Sequence, residues 1–494
     1  MERFRVVRWS RRDGTARRGR RARSRDRRRA PGTFRPCRPL RGPRRSVERV
    51  SSTEELTSGV REAIRQACVL ATEPLDDPVR RHAAHVVADT VGVSIAGGRT
   101  AEMTTMRDVD DELGPAPGGG GSTVLAAGAG LAPAEHAAFH NASAGSFLEL
   151  DEGTRPTGHP GMHIVPAALA VAEAARRSGP ELLSAVVAGY EVSARLLTAF
   201  RLRPPTHPHG HLAGVGAAVS VALLLGEDPV GAAAIAATTP VVPVWNACYV
   251  GATARNTAMG LAAQAAVRAS RLLRAGFTGS LESIPAFFGE LTGQPVDLDA
   301  LREPPDLARP RIMRNYFKRH SACALTHGAV DAVLSLPAIP VDSIRAIEVH
   351  TVANNLKLDR RPFPNDLSAR FSLPYAVSAA LTRRMSTVDT FDYDPGVARL
   401  AEKVSVGVKP EFERRWPDHA PTEVVVHTSD TTLSAVVDDP RGHHHDPLSP
   451  DELRDKFAGL VGDVAGVLWE RILALPEVTD CAGVLDPLRH ASPV

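Results

Sequence analysis

The residues best able to do chemistry sit in a few short clusters. The first spans 140–166, where an Ala-rich helical pattern, expected to run on to Gly153, closes with Glu149, Asp151 and Glu152. A Gly/Pro/Thr loop carrying Arg155 and His159 follows. Carboxylates at a helix C-terminus face the negative end of the dipole, so local energetics do not explain them. The plain alternative is a solvated helix end. The second cluster is Thr206-His207-Pro208-His209-Gly210-His211, ahead of a Gly/Ala-rich helix. A helix N-terminus presents free N–H groups to a carboxylate ligand. Alternating histidines can also hold a metal, and a simple polar loop would carry the same residues.

The third cluster runs from Tyr316 to His327 and holds Lys318 and Cys323. The chain has 54 Arg and five Lys (318, 357, 403, 409 and 456). Arg stays protonated, whereas a buried Lys can lower its pKa and shuttle protons, so Lys318 is the lysine expected to do acid/base work, with a surface lysine as the alternative. Cys323 and His327, four apart, are expected on one helical face. Tyr375, in Phe371-Ser372-Leu373-Pro374-Tyr375, could donate a proton, bind a carboxylate, or simply pack. His443-His444-His445 reads as a solvated turn. There is no GxxxxGK[ST], HExxH or GxSxG, and Gly214-Val215-Gly216 lacks a third glycine at the dinucleotide spacing. Nucleotide-binding, zinc-peptidase and serine-hydrolase readings therefore lack support.

Helices must position these residues. Helical signals start at Ser52-Thr53-Glu54-Glu55 and Asp77-Pro78, and recur over 101–113, 132–150, 162–177, 180–200, 211–225, 229–239 and 253–275. Their Ala and Gly content implies close helix packing in a large bundle. After Pro340, β-branched alternation predicts strands at 346–352, 404–408, 422–428 and 432–437, with helices at 373–382 and 394–402 between them. The expected fold is mainly α: a large helical domain (51–310), a smaller α+β domain (311–448), and C-terminal helices (449–494) returning to the first.

Charge divides the chain. Residues 1–50 hold 20 Arg, no Lys and four acidic residues, a net of +16 against +3 for the whole, which leaves −13 for the remainder. This Arg-rich tail lacks apolar periodicity and is expected to be disordered. A nucleic-acid-binding arm and a transit peptide are two readings of it. The reading adopted is upstream GC-rich DNA translated by mistake, with the true start near Val47 or Val50. Five scattered cysteines without CxxC spacing argue against a disulfide framework or structural zinc. The most apolar run, 212–226, is shorter than the ~20 residues of a membrane span. A reducing cytoplasm is the expected location.

Taken together, four segments resemble the MmgE/PrpD family. They are Asn141…Leu148-Glu-Leu-Asp-Glu…His159-Pro160, His207-Pro-His-Gly…Gly216-Ala-Ala, Lys318…Cys323…His327-Gly-Ala-Val-Asp331-Ala, and Phe371-Ser-Leu-Pro-Tyr375. Gly189-Tyr190-Glu191-Val192 also fits, and the likeness spans about 55–475. The resemblance implies a helical domain with a smaller α+β lid, a site in the cleft between them, a homodimer, and no metal or organic cofactor. It implies a lyase, of dehydratase or decarboxylase type, on a small di- or tricarboxylate, with no nucleic acid or membrane partner. An epimerase of an iminodisuccinate-like acid and a catalytically silent carboxylate-binding homologue are the alternatives. His159, His207, Lys318 and Tyr375 fall on positions the family uses for catalysis or substrate binding. Departures occur at Glu149, where the family's acidic motif usually has Asp, at Cys323, where the decarboxylase and the dehydratase have His, and near Tyr249, where the decarboxylase has Lys. The expected mechanism moves a proton at a carbon next to a carboxylate. His159 and Lys318 would carry the proton, Arg255, His207 and Tyr375 would clamp carboxylates, Cys323 would join them in binding substrate, and Glu149 and Asp151 would orient His159.

Overall fold

In the computed structural model, residues 52–112, 121–128, 130–156 and 158–491 are described. The expectations for the 1–50 tail, for Cys37 and for most of the Gly/Pro run 114–121 lie outside these residues. Helix α1 (Thr53–Ala67) starts where Ser52 and Glu55 exchange a capping box: Glu55 N–H donates to Ser52 Oγ at 3.1 Å and Ser52 N–H to Glu55 Oε2 at 3.2 Å. It is followed by α2 (Asp77–Gly97), α3 (Ala101–Glu112), α4 (Ala134–Ser146), α5 (Pro160–Ala174), α6 (Gly179–Ala199), α7 (Leu212–Leu225), α8 (Pro229–Thr238) and α9 (Thr257–Arg274). Proline at the first helical position begins α5 and α8, where its missing N–H is no loss. Small residues let the helices touch. A Cβ on Gly189 of α6 would land 2.5 Å from the Gly216 carbonyl oxygen of α7, so only glycine permits that crossing. Of the described helices, α6 alone is long and apolar enough to span a membrane, and 89% of that stretch is buried inside the protein.

The second layer is a four-stranded sheet. Strands β1 (Ile344–Thr351), β2 (Val404–Val408), β3 (Thr422–Thr428) and β4 (Thr432–Val437) lie in the order β2-β1-β3-β4. β1 and β2 are parallel, with Ile347 opposite Val404; β1–β3 and β3–β4 are antiparallel. A parallel pair needs a crossover, and the chain between these strands supplies it with α11 (Leu373–Arg383) and α12 (Pro395–Ala401). One sheet face buries Ile347, Val349, Val424 and Val426 in a common core with Val330 and Val333 of α10 (His327–Ser335) and Val377 of α11. The main helical core joins α2, α4–α7 and α9 to α13 (Pro450–Val461) and α14 (Ala465–Leu473), with Phe457 against Gly92. The fold is mainly α with a smaller α+β part. Connecting segments rather than regular elements carry the chemistry-bearing residues: 147–159, 206–211, 316–323 and a 3-10 stretch, Ala353–Leu358.

Candidate active site

Helix α4 ends at Ser146, so the three carboxylates follow it on irregular chain rather than closing it. None is solvated: Glu149, Asp151 and Glu152 are at most 2% exposed. Each has found compensating partners, and Glu149 and Asp151 share one of them. Glu149 accepts from Arg255 Nη1 at 2.5 Å and lies 3.4 Å from Lys318 Nζ. Asp151 lies 3.2 Å from Lys318 Nζ and 2.8 Å from His159 Nδ1. Glu152 accepts from Gly161 N–H at 2.6 Å, Tyr190 OH at 2.8 Å and Asn315 Nδ2 at 3.3 Å. Gly161 belongs to the first turn of α5, so Glu152 meets the positive end of a helix, where a carboxylate is favoured. Glu149 is non-glycine yet has φ +49°, a conformation of the strained kind found where surroundings over-determine the backbone.

Two expectations are corrected here. Glu149 does not orient His159; its oxygens are taken by Arg255 and Lys318, and Asp151 alone of the two reaches the ring. Lys318 is not a depressed lysine. Burial pulls its pKa down, but Asp151 and Glu149 outweigh burial and hold it above the usual value. Burial raises the Asp151 pKa, and His159 and Lys318 reverse that to a net lowering. Among the described residues no cation forms an ion pair with Glu152, and burial lifts it to about 7. Lys318 stands behind the cavity wall rather than on it.

The cavity itself is tight: the space open to the centre of a water molecule is about 70 Å³. Its polar lining includes His159, His207, His209, Arg255, Asn355 and Lys357; Trp245, Phe371 and Tyr316 form apolar wall. His159 donates from Nδ1 to the Glu152 carbonyl oxygen at 2.9 Å, with Asp151 Oδ2 2.8 Å from the same nitrogen. That fixes the Nδ1–H tautomer and leaves Nε2, which bonds nothing in the described chain, as the free lone pair. His163 locks the neighbouring loop. Its Nδ1–H donates to the His159 carbonyl oxygen at 2.7 Å, and its Nε2 accepts from Gly210 N–H at 2.8 Å.

The alternating histidines divide their roles. His211 is structural: its Nε2–H donates to the His207 carbonyl oxygen and its Nδ1 accepts from Leu212 N–H. His207 and His209 line the cavity, and all four of their ring nitrogens are buried without partners. Burial, then neighbouring charge from Arg255 and the other histidines, keeps both far below the usual pKa and hence neutral. Buried polar atoms without partners are costly and mark where a ligand is expected. Arg255 is largely spent on Glu149, Asn256 and Cys248, but its Nη2 is buried and unpaired, and its guanidinium lies 4.8 Å from the Phe371 ring centroid.

Other sequence-derived residues fare differently. Tyr375 does not line the cavity; its OH donates to the Asp392 carbonyl oxygen at 2.6 Å and accepts from Asp394 N–H at 2.7 Å. Phe371 of the same segment reaches the wall instead. Cys323 lines the cavity, with burial pushing its thiol up to about 11, so it is a neutral group rather than a nucleophile. It does not share a helix face with His327, because a 3-10 turn, Ala324–Thr326, separates it from α10. His443 is buried beside Asp439, not solvated. Sequence reasoning passed over Lys357. It is largely buried on the 3-10 stretch, its Nζ lies 4.7 Å from the Trp245 ring centroid, and burial lowers its pKa. No described carboxylate pairs with it. The rarity of Lys, which singled out Lys318, pointed equally to Lys357.

Residues 65–289 match the MmgE/PrpD N-terminal domain and residues 320–479 the MmgE/PrpD C-terminal domain. The chain is also similar to the cis-aconitate decarboxylase of Mus musculus, at 26% identity over 450 residues covering 84% of this chain and 90% of that protein.

Proposed function

The chain belongs to the MmgE/PrpD family, and from that premise we propose that it is a dehydratase- or decarboxylase-type lyase of a small di- or tricarboxylate. A lyase-type function on a carboxylate is what the family and the mouse relative support. The observation that carries the finer reading is His159. Its Nδ1–H is fixed by the Glu152 carbonyl and Asp151, and its Nε2 is uncommitted at a cavity that also holds the unpaired Lys357. Nε2 exchanges a proton with the carbon next to a substrate carboxylate. Asp151 faces the charge the ring gains, without itself taking the proton. Lys318, positive and behind the wall, keeps Asp151 ionised and holds Asp151 and Glu149 in place. Negative charge develops on the substrate as the C–H or C–C bond breaks. Lys357 and Arg255 Nη2 meet it with fixed positive charge, and His207 and His209 supply neutral donors. In dehydration His159 removes the α-proton and, once protonated, gives it to the hydroxyl that departs from the adjacent carbon as water. In decarboxylation CO₂ departs and protonated His159 delivers the proton to the carbon that held it.

The test is incubation of the wild-type protein with citrate-, aconitate- and aspartate-like acids in deuterated water, followed by NMR. The expected result is loss of CO₂ with deuterium placed on the carbon that held it, or loss of water with the α-hydrogen released to the solvent. Exchange with neither loss would identify an epimerase. Thermal stabilisation by the acids with neither exchange nor turnover would reveal a binding homologue and end the proposal.

A further inference from the structure

Away from the cavity, α3 and α4 bring three ligand-type side chains together. His136 and His140 stand one turn apart on α4, and Asp110 comes from α3. Asp110 Oδ2 lies 2.7 Å from His140 Nε2 and 3.6 Å from His136 Nε2, and the ligand atoms of all three residues lie within 4.8 Å of one another. The two imidazole centroids are 4.4 Å apart, as expected for an i,i+4 pair on one face. We propose that Asp110, His136 and His140 form a binding site for a divalent transition metal of the zinc class, clipping α3 to α4.

Two imidazole nitrogens and one carboxylate oxygen make a donor set of zinc type, with a fourth position left for water. Tetrahedral zinc with bonds of about 2.0–2.1 Å holds its ligand atoms about 3.3 Å apart, so the 2.7 Å Asp110–His140 pair opens and the 3.6 Å Asp110–His136 pair closes slightly as side-chain rotations complete the site. His136 makes no side-chain hydrogen bond among the described residues. His136 and Asp110 are 33% and 28% exposed, which gives an ion a way in. The cation facing the group, Arg107, donates to the Gly98 carbonyl oxygen at 2.8 Å. A second histidine group, His419 and His445 around Asp439, is less suited. There Arg155 Nη1 already holds Asp439 at 2.8 Å and opposes a second cation.

The experiment uses the tag-free full chain stripped with a chelator and titrated with Zn²⁺ by calorimetry. Co²⁺ absorption reports tetrahedral coordination, and Mg²⁺ serves as the hard-cation control. One equivalent of Zn²⁺ is expected to bind, raise the melting temperature and give tetrahedral Co²⁺ bands. His136→Ala and Asp110→Asn should each weaken that equivalent at least tenfold, while His445→Ala leaves it unchanged. No binding at millimolar Zn²⁺, undiminished binding in His136→Ala, or loss only in His445→Ala would overturn the assignment.

Discussion

Replacing Lys318 by Met asks what the buried lysine does. Its ammonium sits 3.2 Å from Asp151 Oδ1 and 3.4 Å from Glu149 Oε2 with no side-chain exposure. At an effective dielectric of about 20, each pairing is worth about 5 kcal/mol before desolvation. Burying the ammonium costs several kcal/mol, which the variant no longer bears. The net loss on breaking such a pair is about 3–5 kcal/mol, because Asp151 and Glu149 stay buried with less positive charge. For a folded unit of this size, spanning Ser51–Val494, unfolding entropy is about 0.9 kcal/mol per kelvin. Lys318→Met should therefore melt about 3–5 °C below wild type by calorimetry at pH 7. Turnover should fall about 100-fold as Asp151 is displaced from His159, with substrate affinity changed little. A melting temperature equal to or above wild type would refute the reasoning. It would mean that the amine is already neutral, since exchanging a buried neutral amine for a thioether of similar length costs little.

Three further outcomes follow from other residues. Lys357→Met should raise KM about 10–100-fold, the worth of a charged hydrogen bond, with the melting temperature unchanged; equal KM would remove Lys357 from the site. Tyr375→Phe should keep wild-type kcat and KM while losing about 1–2 kcal/mol of stability in urea unfolding, because Asp394 N–H loses its acceptor and the Asp392 carbonyl oxygen its donor. A KM rise there would restore Tyr375 as a substrate ligand. Glu173 is buried, and burial, opposed by hydrogen bonds from Thr123, lifts its pKa to about 7. A raised carboxylate pKa means the folded state holds the proton longer, so this stabilisation is present below the unfolded pKa and is lost as pH rises through 7. Relative to Glu173→Gln, wild type should lose about 3 kcal/mol between pH 4.5 and pH 8 in urea unfolding; parallel pH profiles would contradict the shift.

Much of the fold was legible because local signals agreed with tertiary packing. The Ser52/Glu55 capping box began α1, Pro229 opened its helix, and β-branched alternation marked the strands β1–β4. The end of α4 was misplaced because residues 147–152 carry no helix-breaking glycine or proline, and only their ion pairs and hydrogen bonds show why the chain leaves the helix. Residue types disclosed which side chains could act, but not which way they faced. His207, His209 and His211 alternate identically in sequence, yet His211 spends both nitrogens on backbone while the other two spend none. Tyr375 was misread because its partners, Asp392 and Asp394, are 17 and 19 residues away. Lys318 was misread for a related reason. Burial lowers a lysine pKa and paired acids raise it, and only the fold shows that two acids converge on this one.

The most direct test is the rate of α-carbon proton transfer in His159→Gln, measured by NMR in deuterated water on whichever acid the wild type converts. Binding of that acid is followed in parallel by calorimetry. The expected result is a rate 10²–10⁴-fold below wild type, with affinity and melting temperature close to it. A variant that transfers the proton at the wild-type rate would show that the free nitrogen of His159 is not the group that moves it.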